Sequence, residues 1–372
     1  MVSLTACNAP AISQQAVSNT LPPYAPDTPS SPQIDAPLVE APALVSVQFF
    51  NSLDGWGVTE TQIVRTNDGG ITWYNVTPPA VTEAGYQATL ALTDNNHAWL
   101  LLPDENNGML HRTADGGLSW TSAPVPFRGA DLRFLDADNG WALADLGVAA
   151  GSNAVAVYQT SDGGGTWTQT FVIDPTLASV DDSLPFGGLK AGIAPVNMRT
   201  AFIYGVIYSP GSPYLFRTDD GGAHWDPVSL PLPPGAESAE LSILPGQMKF
   251  ISSTDGFIAM RLANETYQLA IYATHDGGNT WTLAPNTLPG SGVADFLSAE
   301  EAVVFSGDQF YVTGDAAHTW RIVSPDVKFG DMFVSMDFAN IMNGWVVTMT
   351  PTAQRAVYRS GDGGLTWFPV VP

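Results

Sequence analysis

The chain has 372 residues, is 45% hydrophobic and only 13% charged, and is rich in glycine (36) and proline (29). That supports a sizeable core, and the turn-rich, charge-poor composition argues against a helical body. A net charge of −23, from 36 acids and 13 bases, repels phosphate backbones and anionic lipid surfaces, which excludes nucleic acid as a partner.

The N-terminus comes first in chain order. Cys7 is the single cysteine, so no disulfide forms within the chain and no thiolate zinc site exists. The run Leu4-Thr-Ala-Cys7 resembles a bacterial lipobox, which makes Cys7 a candidate lipidation site and residues 1–7 the remnant of a lipoprotein signal. Only six residues precede Cys7, too few for a basic region and an apolar stretch, so the recorded start is read as late. The other reading is a leader with no anchor. Residues 8–43 hold eight prolines among Ala, Ser, Gln and Asn, a composition expected to form a disordered tether. The expected location is extracytoplasmic, with contact to a membrane only through a lipid anchor. No run reaches the roughly 18 apolar residues of a membrane helix.

From residue 44 to residue 372 the chain repeats. Thr66-x-Asp68-Gly-Gly-x-x-Trp73 opens a series of seven boxes. Asp68 goes with Trp73, Asp115 with Trp120, Asp162 with Trp167, and Asp220 with Trp225. Asp276 follows with Trp281, Asp315 with Trp320, and Asp362 with Trp367. The sixth box has Ala316 and Ala317 in place of glycines. Steps between the aspartates are 47, 47, 58, 56, 39 and 47 residues, near the period of a four-stranded propeller blade. Ahead of each box lie a strand, a turn and a second strand, as in "FFNSLDGWGV" and "LRFLDADNGWALA". A third strand leads into the box and a fourth begins at its tryptophan. The fold class predicted is all-β, a seven-bladed β-propeller of four-stranded antiparallel blades.

The box is expected to be a staple. Its carboxylate accepts N–H groups inside its own turn, and its glycines supply positive φ. The indole, wedged between sheets, buries up to roughly 150–250 Å², an upper bound of about 4–6 kcal/mol. Seven of eleven tryptophans close boxes. The other four, Trp56, Trp99, Trp141 and Trp345, share one place in the second strand, filled elsewhere by Phe202, Phe257 and Val303. Arg65, Arg112, Arg217 and Arg359 all stand just before the box Thr or Ser. They form either a ring of cations or, as expected here, structural pairs with nearby aspartates.

This S/T-x-D-x-G-x-x-W series resembles the Asp-box (BNR) repeat of sialidases, xyloglucan-degrading hydrolases, sortilin-type receptors and photosystem II assembly/stability factors. The "GW…RTxDGGxTW" combination is most similar to the last of these. That resemblance implies a seven-bladed, non-enzymatic scaffold that binds a protein partner at the extracytoplasmic face, as a monomer. The chain departs from the family's arginine-rich surface, with ten arginines and three lysines.

For chemistry the sequence offers little. Three of the five histidines, His224, His275 and His318, lie in box turns of different repeats, a spacing that suggests no metal cluster. No catalytic residue and no cofactor is expected. The competing reading is a sialidase-type glycoside hydrolase or a carbohydrate-binding propeller. A ligand would be expected on the face opposite the box turns, where two long loops lie. The loop 174–191 carries Asp174, Asp181, Asp182, Phe186 and Lys190. The loop 231–247 carries Glu237 and Glu240, with Lys249 just beyond.

Overall fold

The computed structural model describes residues 34–370 except 80, 85–87, 105–106 and 178–182. Apart from two three-residue 3-10 turns, every regular element described is a β-strand. The first copy of the repeat shows the pattern. Leu44–Phe49, Gly55–Thr59, Ile63–Thr66 and Trp73–Asn75 form an antiparallel meander. Four further copies make separate four-stranded sheets of the same order. The fourth and fifth copies are fused into one ten-stranded sheet. The fusing strand, Glu240–Ser242, pairs with Arg261–Ala263 of one copy and meets Val206 of the other. The fold is all-β, built of antiparallel four-stranded units, and consistent with a β-propeller.

First strands of most successive copies lie side by side. The last of them, Phe333–Phe338, rests against the first, Leu44–Phe49. The core therefore lies between sheets. Trp99 and Leu101 of the second copy share a cluster with Leu132 and Ala142 of the third. Trp345 and Val347 of the last copy share one with Leu44 and Phe49 of the first.

The second-strand aromatics weld these contacts. Where the next copy's first strand ends in phenylalanine, the second-strand aromatic stacks on it. Trp99 lies 3.8 Å from Phe134 at 7°, Phe257 lies 4.9 Å from Phe296 at 7°, and Trp345 lies 3.5 Å from Phe49 at 3°. Two of the indoles also donate Nε1–H to the next box turn, Trp99 to Gly163 O (2.9 Å) and Trp345 to Gly69 O (3.1 Å). A glycine precedes Trp56, Trp141 and Trp345, whereas Ala98 precedes Trp99; where the copy's own first strand ends in phenylalanine, that glycine is required sterically. A Cβ on Gly140 would stand 2.7 Å from the Phe134 ring.

In all seven boxes the Thr or Ser hydroxyl donates to aspartate Oδ1 at 2.8–2.9 Å. The same hydroxyl accepts the N–H four residues on. In the sixth box Ala316 (φ 54°) and Ala317 (φ 67°) take the left-handed conformation that glycine takes elsewhere. The turn geometry thus survives a non-glycine sequence at a steric cost.

Four expectations are corrected. The tether does not run to residue 43. Ile34 is buried among Trp56, Ile63 and Val76, and Leu38–Val39 adds a fifth strand outside Trp73–Asn75. Not every box indole is a buried wedge. Trp73, Trp225, Trp281 and Trp367 are buried, whereas Trp120, Trp167 and Trp320 are only half-buried. Nor is 231–247 a free loop, since Ala236, Ala239, Leu241 and Ile243 sit in the core. Finally, the arginines before the boxes mostly brace the next copy's backbone. Arg65 donates to Gly116 O, Arg112 to Asp162 O (3.1 Å) and Arg359 to Ser52 O (3.0 Å). Arg217 alone of the four bonds the carboxylate of Asp219 closely, at 2.8 Å.

Candidate functional site

An axial cavity of about 850 Å³ is lined by first-strand residues of all the copies. One residue per first strand, immediately before the terminal phenylalanine or its equivalent, stands at a common level. The register against the second strands fixes this alignment: Gln48 faces Trp56, Ala91 faces Trp99, and Arg133 faces Trp141. Ala194 faces Phe202, Lys249 faces Phe257, Asp295 faces Val303, and Asp337 faces Trp345. Side chains on a strand alternate, so these positions share one sheet face, the face turned to the next copy, and all seven residues line the cavity at its inner edge.

The aspartates also tie each first strand to the next. Asp295 Oδ2 accepts Phe338 N–H at 2.8 Å, and Asp337 Oδ2 accepts Phe49 N–H at 2.6 Å, across the join between last and first copies. Asp131, one turn of the pleat away, accepts Ile193 N–H at 3.0 Å. Its other oxygen meets Arg133 Nε at 3.1 Å. The charge of Asp131 holds the Arg133 guanidinium above its usual value. Burial, with Asp131 alongside, pushes Tyr204 up to about 12, and its hydroxyl accepts Gly246 N–H at 3.2 Å. Lys249 Nζ donates to Phe296 O at 3.0 Å.

Asp295 and Asp337 form the unbalanced part of this channel. Desolvation raises both carboxyls, and the charge of Asp295 lifts Asp337 further, well above the ordinary carboxylate range. Each keeps part of its surface open to the channel, yet protein surrounds it on all sides. No ion pair within 4 Å joins Lys249 to either acid among the described residues.

The residues expected to bind ligand behave otherwise. Asp181 and Asp182 lie outside the described residues. Phe186 packs on the core beside Tyr214, and the Lys190 ammonium lies 5.4 Å above both rings. Lys190 donates to Asn153 O (3.0 Å) and Gly188 O (3.2 Å), and burial pulls it down to about 8. It pins the loop in place. Glu237 and Glu240 are exposed, the latter inside the fusing strand. None of Asp174, Phe186, Glu237 or Glu240 lines the axial cavity. The box aspartates are committed to their turns. Thr280 and Thr274 hydrogen bonds hold Asp276 at about 2, and His224 bonds Asp220 Oδ2 at 2.9 Å. Among the described residues no three His, Cys, Asp or Glu gather as metal ligands.

Sequence reasoning missed Arg133, Asp295 and Asp337. The signal was a single charge before the phenylalanine in "LRF", "ADF" and "MDF", which becomes meaningful only once the copies are aligned.

No family model matches the chain. It is 23% identical over 308 residues to the photosystem II assembly lipoprotein Ycf48 of Synechococcus sp. (strain CC9902), covering 75% of this chain and 84% of that one. It is 24% identical over 299 residues to a xyloglucanase of Paenibacillus sp, covering 75% of this chain. The chain spans only 24% of the xyloglucanase's length. Among solved structures, YCF48 bound to D1 peptide superposes with a TM-score of 0.54 at 17% identity, covering 89% of this chain and 99% of that chain. The likeness supports a Ycf48-like propeller fold.

Proposed function

We propose that this chain is a seven-bladed Asp-box propeller that binds a protein partner and acts as a non-catalytic assembly scaffold. It works outside the cytoplasm, held by a lipid on Cys7. The observation that carries this reading is where the repeat's reactive groups go. Box carboxylates close their own turns, indoles and arginines bond the next copy's backbone, and channel aspartates tie neighbouring first strands. Chemistry placed this way builds a rigid torus whose faces are free for recognition. The likeness to a propeller solved with a bound peptide supports the choice of a protein as ligand.

The test is affinity purification of the lipidated chain from host membranes, followed by reconstitution with the recovered partner. A one-to-one complex from purified components is the expected result. Turnover of xyloglucan or sialosides by the purified chain, lost in Asp295→Asn, would overturn it. That outcome would establish the glycoside hydrolase reading, which one observation favours. Asp295 and Asp337 are two carboxyls in one cavity, with Asp337 raised furthest, and glycoside hydrolysis uses a carboxyl pair in which one member stays protonated as the acid.

A further inference from the structure

The channel level that carries Arg133, Lys249, Asp295 and Asp337 holds charges of both signs, grouped by side. The two anions come from the sixth and seventh copies, and the two cations from the third and fifth. Ala91 and Ala194, at the same level, leave room between them. A set serving structure alone would neutralise itself by ion pairs, because an uncompensated enclosed charge is costly. Arg133 does pair, with Asp131 at 3.1 Å. Lys249 does not: it bonds the Phe296 carbonyl. Each acid uses only Oδ2 on a backbone N–H, which leaves both Oδ1 atoms without a protein donor among the described residues.

We infer that this ring is a binding site for a small zwitterion, an amino acid or a short peptide, with its ammonium on Asp295 and Asp337 and its carboxylate toward Lys249 and Arg133. A divalent cation is the poorer fit, because the Lys249 charge acts on both Asp295 and Asp337 and, among the described residues, no third ligand gathers with them. A plain anion would meet the two carboxylates. The inference needs nothing from the partner reading above, and a negative result here leaves that reading untouched.

Protonation supplies a second signature. The titratable and charged groups facing the site are Asp131, Arg133, Lys249, Asp295 and Asp337, with Asp136 at the mouth. Burial raises Asp295 and Asp337, so a proton competes with the ligand's ammonium and binding weakens as pH falls.

The experiment is isothermal titration of the full chain with glycine, diglycine and triglycine. Glycinamide and N-acetylglycine serve as single-charge controls. One zwitterion is expected to bind one per chain, with each control at least tenfold weaker. Its rank among the three separates a free amino acid from a peptide. Asp337→Asn, which keeps an oxygen for Phe49 N–H, and Lys249→Gln are each expected to weaken binding at least tenfold. Circular dichroism melts check that both variants fold, and Asp295→Asn replaces either one that does not. Binding heats in two buffers of different ionisation enthalpy should differ, reporting proton release. No heat from any of the three zwitterions, or equal binding by folded variants, overturns the assignment.

Discussion

Replacing Trp99 tests whether contacts between copies hold this fold. Its indole has no solvent exposure, stacks on Phe134 at 3.8 Å and donates to Gly163 O at 2.9 Å. Truncation to alanine removes a buried side chain of the class that costs about 3–5 kcal/mol. Leaving the Gly163 carbonyl without its donor adds about 1 kcal/mol. The expected loss is therefore about 4–6 kcal/mol, a large share of a typical stability of about 5–15 kcal/mol. Trp99→Phe keeps a ring against Phe134 and loses the bond and part of the area, so about 1–2 kcal/mol is expected. The assay is urea unfolding followed by far-ultraviolet circular dichroism at pH 7. An alanine variant that loses under 1 kcal/mol, or a phenylalanine variant as costly as alanine, refutes the reasoning.

The titrating groups give three more outcomes. Asp337 has a raised folded pKa, so its contribution is fully present below the unfolded value near 4 and is lost as pH rises through the folded one. Asp337→Asn should therefore raise the melting temperature at pH 7, with the gain shrinking below pH 4. The opposite sign holds for Asp220, Asp255 and Asp276, depressed to about 2. Their stabilisation stands above pH 4 and disappears as pH falls through 2, so the melting temperature should drop steeply from pH 4 to 2. For Lys190, held down at about 8, the unfolded chain binds the extra proton between pH 8 and 10.5. Stability should thus rise with pH from 8 to 10 in the native chain, and less in Lys190→Gln.

The box was legible in the sequence because its bonds are local. Thr66, Asp68, Gly70 and Thr72 satisfy one another within six residues, so composition and spacing carry the geometry. The bracing arginines were visible as a column but not as bonds, since Arg65 and its acceptor Gly116 lie 51 residues apart. Residues 34–43 read as a tether because of Pro37 and Pro42. An outermost strand tolerates proline, however, and Pro37 offers its carbonyl to Asn75 N–H at 2.7 Å. The proline-rich approach to Glu240 misled in the same way, hiding a strand that welds two copies. The channel charges were hidden most deeply. Each is one residue in a short strand, and the site exists only when distant copies meet around an axis.

Closure of the last copy onto the first is the claim on which the channel and its chemistry depend. A double-mutant cycle on Phe49 and Trp345, whose rings stack at 3.5 Å across that join, measures it directly. With Phe49→Leu, Trp345→Leu and the double variant in urea unfolding, a coupling of about 1 kcal/mol is expected. Additivity to within about 0.3 kcal/mol would mean the two rings do not meet in solution, and the closed ring would fall.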